Sequence, residues 1–279
     1  MTIRLITKGC GLAFACLLLL LLSSCEGEAG TGPGPAANES ASGDGASADH
    51  VDAIGRPSNG GQGSSSGDIP DTIEMLGLEY SVNRPEDDPK AILVSPLLQN
   101  LQWSADRLKD YAAQMDDLHR RGDAGDGRLP VTVTLGRPLG LEAFEEFAGR
   151  YGLEVDGYQL RGLEAQTGET YDRITYMAVP RSGVLISEQL RLLAESPGFV
   201  GVIAVYGSMK AEDYAQLSED PDIFVADISS RYLQDELMKH EQVRDMVRDE
   251  VFRIEVKVPN LYWELEDAGI VTYDVPIAK

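Results

Sequence analysis

Hydrophobic residues along this chain fall into three regimes. From Gly9 to Leu22 they form an unbroken run, from Glu26 to about Pro70 they almost vanish, and beyond Pro70 they return at periodic spacings. In the third regime, Ala91–Val94 predicts a short strand. Leu97, Leu101, Ala105, Leu108, Ala112, Met115 and Leu118 follow at steps of three and four, the stripe of an amphipathic helix. Pro96 suits the first turn of that helix and Gly122 its stop. Residues 121–130 (RGDAGDGRLP) then read as a loop.

From Pro130 onward the pattern switches repeatedly between period two and period 3.6. Residues 131–135 (VTVTL) alternate and are β-branched, as a strand requires. Leu141, Phe144, Phe147, Ala148 and Tyr151 share one helical face, closed by Gly152. Residues 153–160 and 171–180 read as strands, with 161–169 as the loop between them. A second helix spans 186–196, with Ser187 as N-cap and Pro197-Gly198 as stop, and 199–207 is an apolar strand. The order β-α-β-β-α-β is that of the split βαβ, ferredoxin-like folds. A short helix at 211–217 and a strand at 222–229 follow. The remainder predicts a charged helix over 232–250 with Leu233, Leu237, His240, Val243 and Val247 on one face. It continues with a strand at 252–258, a short helix opened by Pro259-Asn260, and a closing strand near 271–277. The expected fold class is α+β, built on one mainly antiparallel sheet with a ferredoxin-like βαββαβ core and additional helices and strands.

The first regime has a different meaning. Arg4 and Lys8 precede an apolar run of about 14 residues, too short for a bilayer core that needs about 20. It fits the apolar region of an export signal. The run ends in Leu22-Ser23-Ser24-Cys25, which resembles the lipobox of bacterial lipoproteins: an aliphatic residue, two small residues, then cysteine. The resemblance covers residues 1–25 alone. It implies cleavage between Ser24 and Cys25, a diacylglyceryl group on the Cys25 thiol, and attachment to the extracytoplasmic side of a bacterial cell membrane. Two or three acyl chains make a durable anchor where one is marginal. All three cysteines, Cys10, Cys16 and Cys25, lie in this segment. The exported body is therefore expected to have no disulfide, no thiol nucleophile and no cysteine metal site.

The second regime is Gly-, Ser-, Ala-, Pro- and Asp-rich, with 59–68 (NGGQGSSSGD) typical. Too little apolar surface is present to offset ordering entropy, so it predicts a disordered tether. As a flexible chain of about 45 residues it would span about 35–40 Å. The expected organisation is a signal peptide at 1–24, a lipid-anchored tether at 25–70, a strand and long helix at 71–128, the ferredoxin-like unit at 129–229, and a helix-and-strand extension at 230–279.

Charge narrows the partners. The net charge is −22, and removing the two cations of residues 1–24 takes it to −24. Nucleic acid is excluded as a partner, because phosphate binding needs basic surface. A body lying flat on anionic headgroups is equally disfavoured. Solubility, or attraction to basic proteins or divalent cations, fits.

Candidate chemistry is sparse. Beyond His50 in the tether, the histidines are His119 and His240, each read as a surface or packing residue. Neither sits in a pattern that would set it between a nucleophile and a carboxylate. Beyond the Gly/Ser-rich segment there is no HExxH, GxSxG, P-loop or strand-linked GxGxxG, and no cofactor is implied. Glu142, Glu145 and Glu146 oppose Phe144 and Phe147 on their helix, as solvated residues do. The acidic turns 123–127 (DAGDG) and 218–222 (SEDPD) lack calcium-loop spacing. The expectation is a non-enzymatic, lipid-tethered binding, sensory or interaction module, joined to the membrane by its N-terminal lipid and to an unspecified protein or peptide partner. The alternatives are an envelope hydrolase using paired carboxylates and, least well fitted, a solute-binding protein.

Overall fold

The structure is a computed structural model that describes residues 4–6, 69–98, 101–121, 127–165, 170–248, 252–275 and 277. These belong to one compact unit, assembled from Met1–Thr7 and Ser64–Lys279. The proposed cleavage pair Ser24 and Cys25, the apolar run 9–22, the tether with His50, and Gly122 lie outside the described residues.

The strands are β1 (Arg4–Ile6), β2 (Thr72–Met75), β3 (Leu78–Asn83), β4 (Ala91–Pro96), β5 (Arg128–Leu139), β6 (Glu154–Ala165), β7 (Tyr171–Ala178), β8 (Phe199–Lys210), β9 (Ile223–Asp227) and β10 (Arg253–Val256). The helices are α1 (Ala105–Arg121), α2 (Leu141–Arg150), α3 (Glu188–Ala194), α4 (Tyr214–Ser218, after a 3₁₀ turn at Ala211–Asp213), α5 (Ser229–Leu237), α6 (Glu241–Val247) and α7 (Tyr262–Asp267). The class is α+β. Where one sheet was expected there are two: a six-stranded sheet in the order β1-β7-β6-β8-β5-β9 and a four-stranded sheet in the order β10-β4-β3-β2.

All neighbours in the larger sheet are antiparallel. The expected β-α-β-β-α-β succession runs from β5 to β8, and both split crossovers are present: β8 separates β5 from β6, and β6 separates β7 from β8. The ferredoxin-like order is not formed, however. That order places the first and third strands at the centre, whereas here the second and fourth, β6 and β8, are central. The physical reason lies in β8. A Cβ on Gly207 would sit 2.2 Å from the Glu154 carbonyl oxygen, and one on Gly201 would sit 2.5 Å from that of Leu139. Glycines on β8 thus let β6 and β5 close on it from either side.

Local signals place α2 and α3 as expected. Leu141, Phe144, Phe147 and Ala148 are buried, and Gly152 ends the α2 region with φ +56°. Ser187 Oγ accepts from the Leu190 amide at 3.4 Å, capping α3. The long helix differs from expectation: Pro96 ends β4, and α1 starts only at Ala105. Ser104 supplies its start, with Oγ accepting from the Arg107 amide at 3.2 Å. The charged helix over 232–250 is two helices, broken where His240 precedes α6. Expected strand 271–277 reduces, among the described residues, to one bridge between Ile277 and Tyr171.

The smaller sheet joins the two ends of the folded body. β2 and β3 form a hairpin across Leu76 and Gly77, both at positive φ, and β10 lies parallel to β4. Helix α5 touches β5 of the larger sheet and β2 and β10 of the smaller. One apolar core runs through both sheets, from Tyr80 and Ile92 to Phe144, Tyr158 and Leu265. No described helix is long and apolar enough to cross a membrane.

Candidate functional site

Two polar centres are buried in this core, and each is built around one carboxylate. The first fixes α7 to the larger sheet. Asn260 Oδ1 accepts from the Tyr262 amide at 2.9 Å, starting the helix, while its Nδ2 donates to Gln159 Oε1 on β6 at 2.6 Å. The Leu261 amide donates to Thr134 Oγ1 on β5 at 3.2 Å. So positioned, Glu266 receives a fork from Arg161 on β6, with Nε and Nη2 each 2.8 Å from a carboxylate oxygen. Arg173 on β7 adds Nη1 at 3.0 Å and reaches Asp267 with Nη2 at 2.8 Å. Arg161 Nη1 donates to Thr175 Oγ1 at 2.6 Å, and the Tyr273 hydroxyl donates to Glu266. The Trp263 ring lies beside both guanidinium groups, 4.1 Å from Arg161 and 4.4 Å from Arg173, which adds cation–π attraction. Arg161 is fully buried and the Glu266 side chain only 3% exposed. Burial, with the hydrogen bond to Glu266, pushes the Tyr273 hydroxyl up; burial pushes that of Tyr262 up to about 12.

The second centre lies where β9, α1, β3 and α5 meet, around Asp227. Tyr111 on α1 donates its hydroxyl to Asp227 Oδ2 at 2.5 Å, and the Ser229 amide donates to Oδ1 at 2.8 Å. No cation pairs with Asp227 among the described residues. Two hydroxyls here, Tyr80 and Ser229, are buried without a hydrogen-bond partner. Burial raises the Asp227 carboxyl above its ordinary range, and the bonds from Tyr111 and Ser229 only partly offset that. Burial beside Asp227 pushes Tyr80 up to about 12 and Tyr111 well above its usual range.

Both carboxylates are closed off from solvent, so these centres fix elements together and present no open position to a substrate. His119 stacks on Tyr214 with ring centroids 4.3 Å apart, as a packing residue does, and His240 is half-buried at the start of α6. Glu142 and Glu146 are exposed, and Glu145 pairs with Arg191 at 3.0 Å. In the turn 218–222, Asp220 accepts from the Tyr151 hydroxyl at 2.5 Å, the Asp222 amide at 2.8 Å and Arg150 at 3.2 Å. Burial raises its carboxyl, but these donors outweigh that and hold it below the ordinary value. Asp222 pairs with Arg137, so two of the three acids of the turn are held by protein partners, and Glu219 is exposed. Most of the turn 123–127 lies outside the described residues. No cluster of three or more metal-ligating side chains occurs among the described residues.

Neither buried centre was read from the sequence. Arg161 falls where a loop was expected, and Glu266 is 105 positions away. Asp227 did carry a signal: it is the charged residue that ends an otherwise apolar stretch, IFVAD. Compared with protein-family models, with curated proteins and with solved structures, the chain matches none of them.

Proposed function

We propose that this chain is a bacterial lipoprotein. It is cleaved between Ser24 and Cys25, acylated on Cys25, and held on the extracytoplasmic side of the cell membrane. Its α+β body serves there as a non-enzymatic binding or sensory module for a protein or peptide partner. The observation that carries the reading is Leu22-Ser23-Ser24-Cys25, placed after a two-cation start and an apolar run too short to span, and before a Gly/Ser-rich segment. Support for a binding role comes from the body: its two buried carboxylates are committed to joining elements, and neither His119 nor His240 is paired with a nucleophile in the hydrogen bonds described.

Metabolic labelling with a palmitate analogue tests the anchor. The chain should take up label and fractionate with membranes, and Cys25→Ala should abolish both. Label retained by that variant would refute the assignment. Co-purification of the lipidated protein from solubilised membranes tests the module: a reproducible neighbour is expected, and its absence together with turnover of an envelope glycan would favour the hydrolase.

A further inference from the structure

The four strands at the ends of the two sheets, once residues 1–24 are removed, are not alike. An edge strand offers unpaired backbone groups, and proteins ordinarily blunt it by keeping it short or charged. β2 (TIEM) and β10 (RIEV) have four residues each with charges among them, and β9 (IFVAD) has five. β7 has eight, and its last five, Ile174–Ala178, are uncharged and rich in β-branched and aromatic side chains. Among the described residues, strand pairing covers its outer edge at two places. Ile277 bridges Tyr171, which Ala165 of β6 already faces from the other side, and β1 pairs antiparallel with Thr175, Tyr176 and Met177. β1 is Arg4–Ile6, part of the segment that cleavage before Cys25 discards.

The segment that follows β7 in the chain is also unusual. The large hydrophobic residues exposed among those described are Leu97, Val179, Val184 and Leu192. Three of the four follow β7 in sequence: Val179 is 52% exposed, Val184 55% and Leu192 54%. Val179 directly succeeds Ala178, and Val184 belongs to the tight turn that Arg181 and Val184 close. The processed chain is strongly acidic, so a basic segment is attracted to it.

We infer that the outer edge of β7 in the processed protein takes an extended, apolar, basic peptide segment of another envelope protein as an added antiparallel strand opposite Thr175–Met177, with its flanking side chains on Val179 and Val184. This rests on the tethered-module reading and names its surface. Backbone pairing gives such a site its affinity, and the apolar and charged flanks give it selectivity. The chain's own Arg4–Ile6 occupies the same register before processing, which makes a peptide of residues 1–9 (MTIRLITKG) the natural probe.

The test uses the processed protein, beginning at Cys25, in detergent. In an antiparallel pair, alternate residues of the added strand point their amides at the neighbour. Two probes are therefore made, N-methylated on alternate residues in opposite phase. The unmodified probe should bind and protect from hydrogen exchange those amides among Thr175–Met177 that point away from β6. One methylated probe should bind at least about tenfold more weakly, while the other binds unchanged. Val184→Asp should weaken binding by about fivefold to tenfold, as should replacing both probe cations by glutamate. Equal binding of the two methylated probes, or no protection at 175–177, overturns the inference. Protection there that grows with protein concentration and needs no probe assigns the edge to a second copy and also overturns it. These failures leave Cys25 acylation and any co-purified neighbour untouched, so they are distinguishable from failure of the lipoprotein reading.

Discussion

The Glu266 and Asp227 centres solve one problem, a carboxylate in the core, by opposite means. Glu266 is met by the guanidinium groups of Arg161 and Arg173, with Trp263 beside both. Asp227 has tyrosine and backbone donors and, among the described residues, no cation, and burial drives it toward its neutral form. A buried pair costs much to break because a lone charge is left behind, whereas a lone buried acid already bears that cost whenever it ionises. The first centre is thus a clamp for the C-terminal helix, and the second is a joint between β9 and α1 whose strength follows pH.

The largest effect should come from breaking the clamp. Glu266→Ala leaves Arg161 buried and unpaired, and a loss of about 3–5 kcal/mol is expected in urea unfolding. Replacing Arg161 and Glu266 together by Met and Leu should recover much of it. Next in size is the glycine that admits β6 to β8. Gly207→Ala sets a Cβ against the Glu154 carbonyl and should cost about 1–3 kcal/mol, with exchange at 154–160 accelerated.

Asp227→Asn sharpens the contrast. Because the folded pKa of Asp227 is raised, its contribution to stability is undiminished below the unfolded value of about 4 and falls as pH climbs from there to the folded value. The Asn variant should lose that downward slope and be the more stable protein at neutral pH; an unchanged slope would assign it to other groups. The smallest effect is expected for His119→Ala, about 0.5–1.5 kcal/mol from lost stacking on Tyr214.

What could be read from the sequence depended on how local its cause was. The α2 and α3 helices rest on spacing, a serine cap and a glycine or proline stop within one segment, and they appear where those signals stand. The hairpin of β2 and β3 escaped because its turn places Leu76, not Asn or Asp, at φ +54° ahead of Gly77. The helix over 232–250 reads as continuous because Leu237, His240 and Val243 keep helical steps. The chain breaks where the one polar member of that stripe would have been buried, and Val243 reaches the core from a new helix. Strand order has no local signal at all, since it depends on which backbones β8 can admit. The same holds for the two centres, whose partners meet across about a hundred residues or more.

Intact-mass analysis of the protein purified from bacterial membranes bears most directly on the proposed role. A chain that begins at Cys25 and carries two or three acyl groups is the predicted species. A chain that retains residues 1–24, or that begins at Cys25 with a free thiol, would contradict the anchor; in the first case, Arg4–Ile6 would also remain to cover the β7 edge.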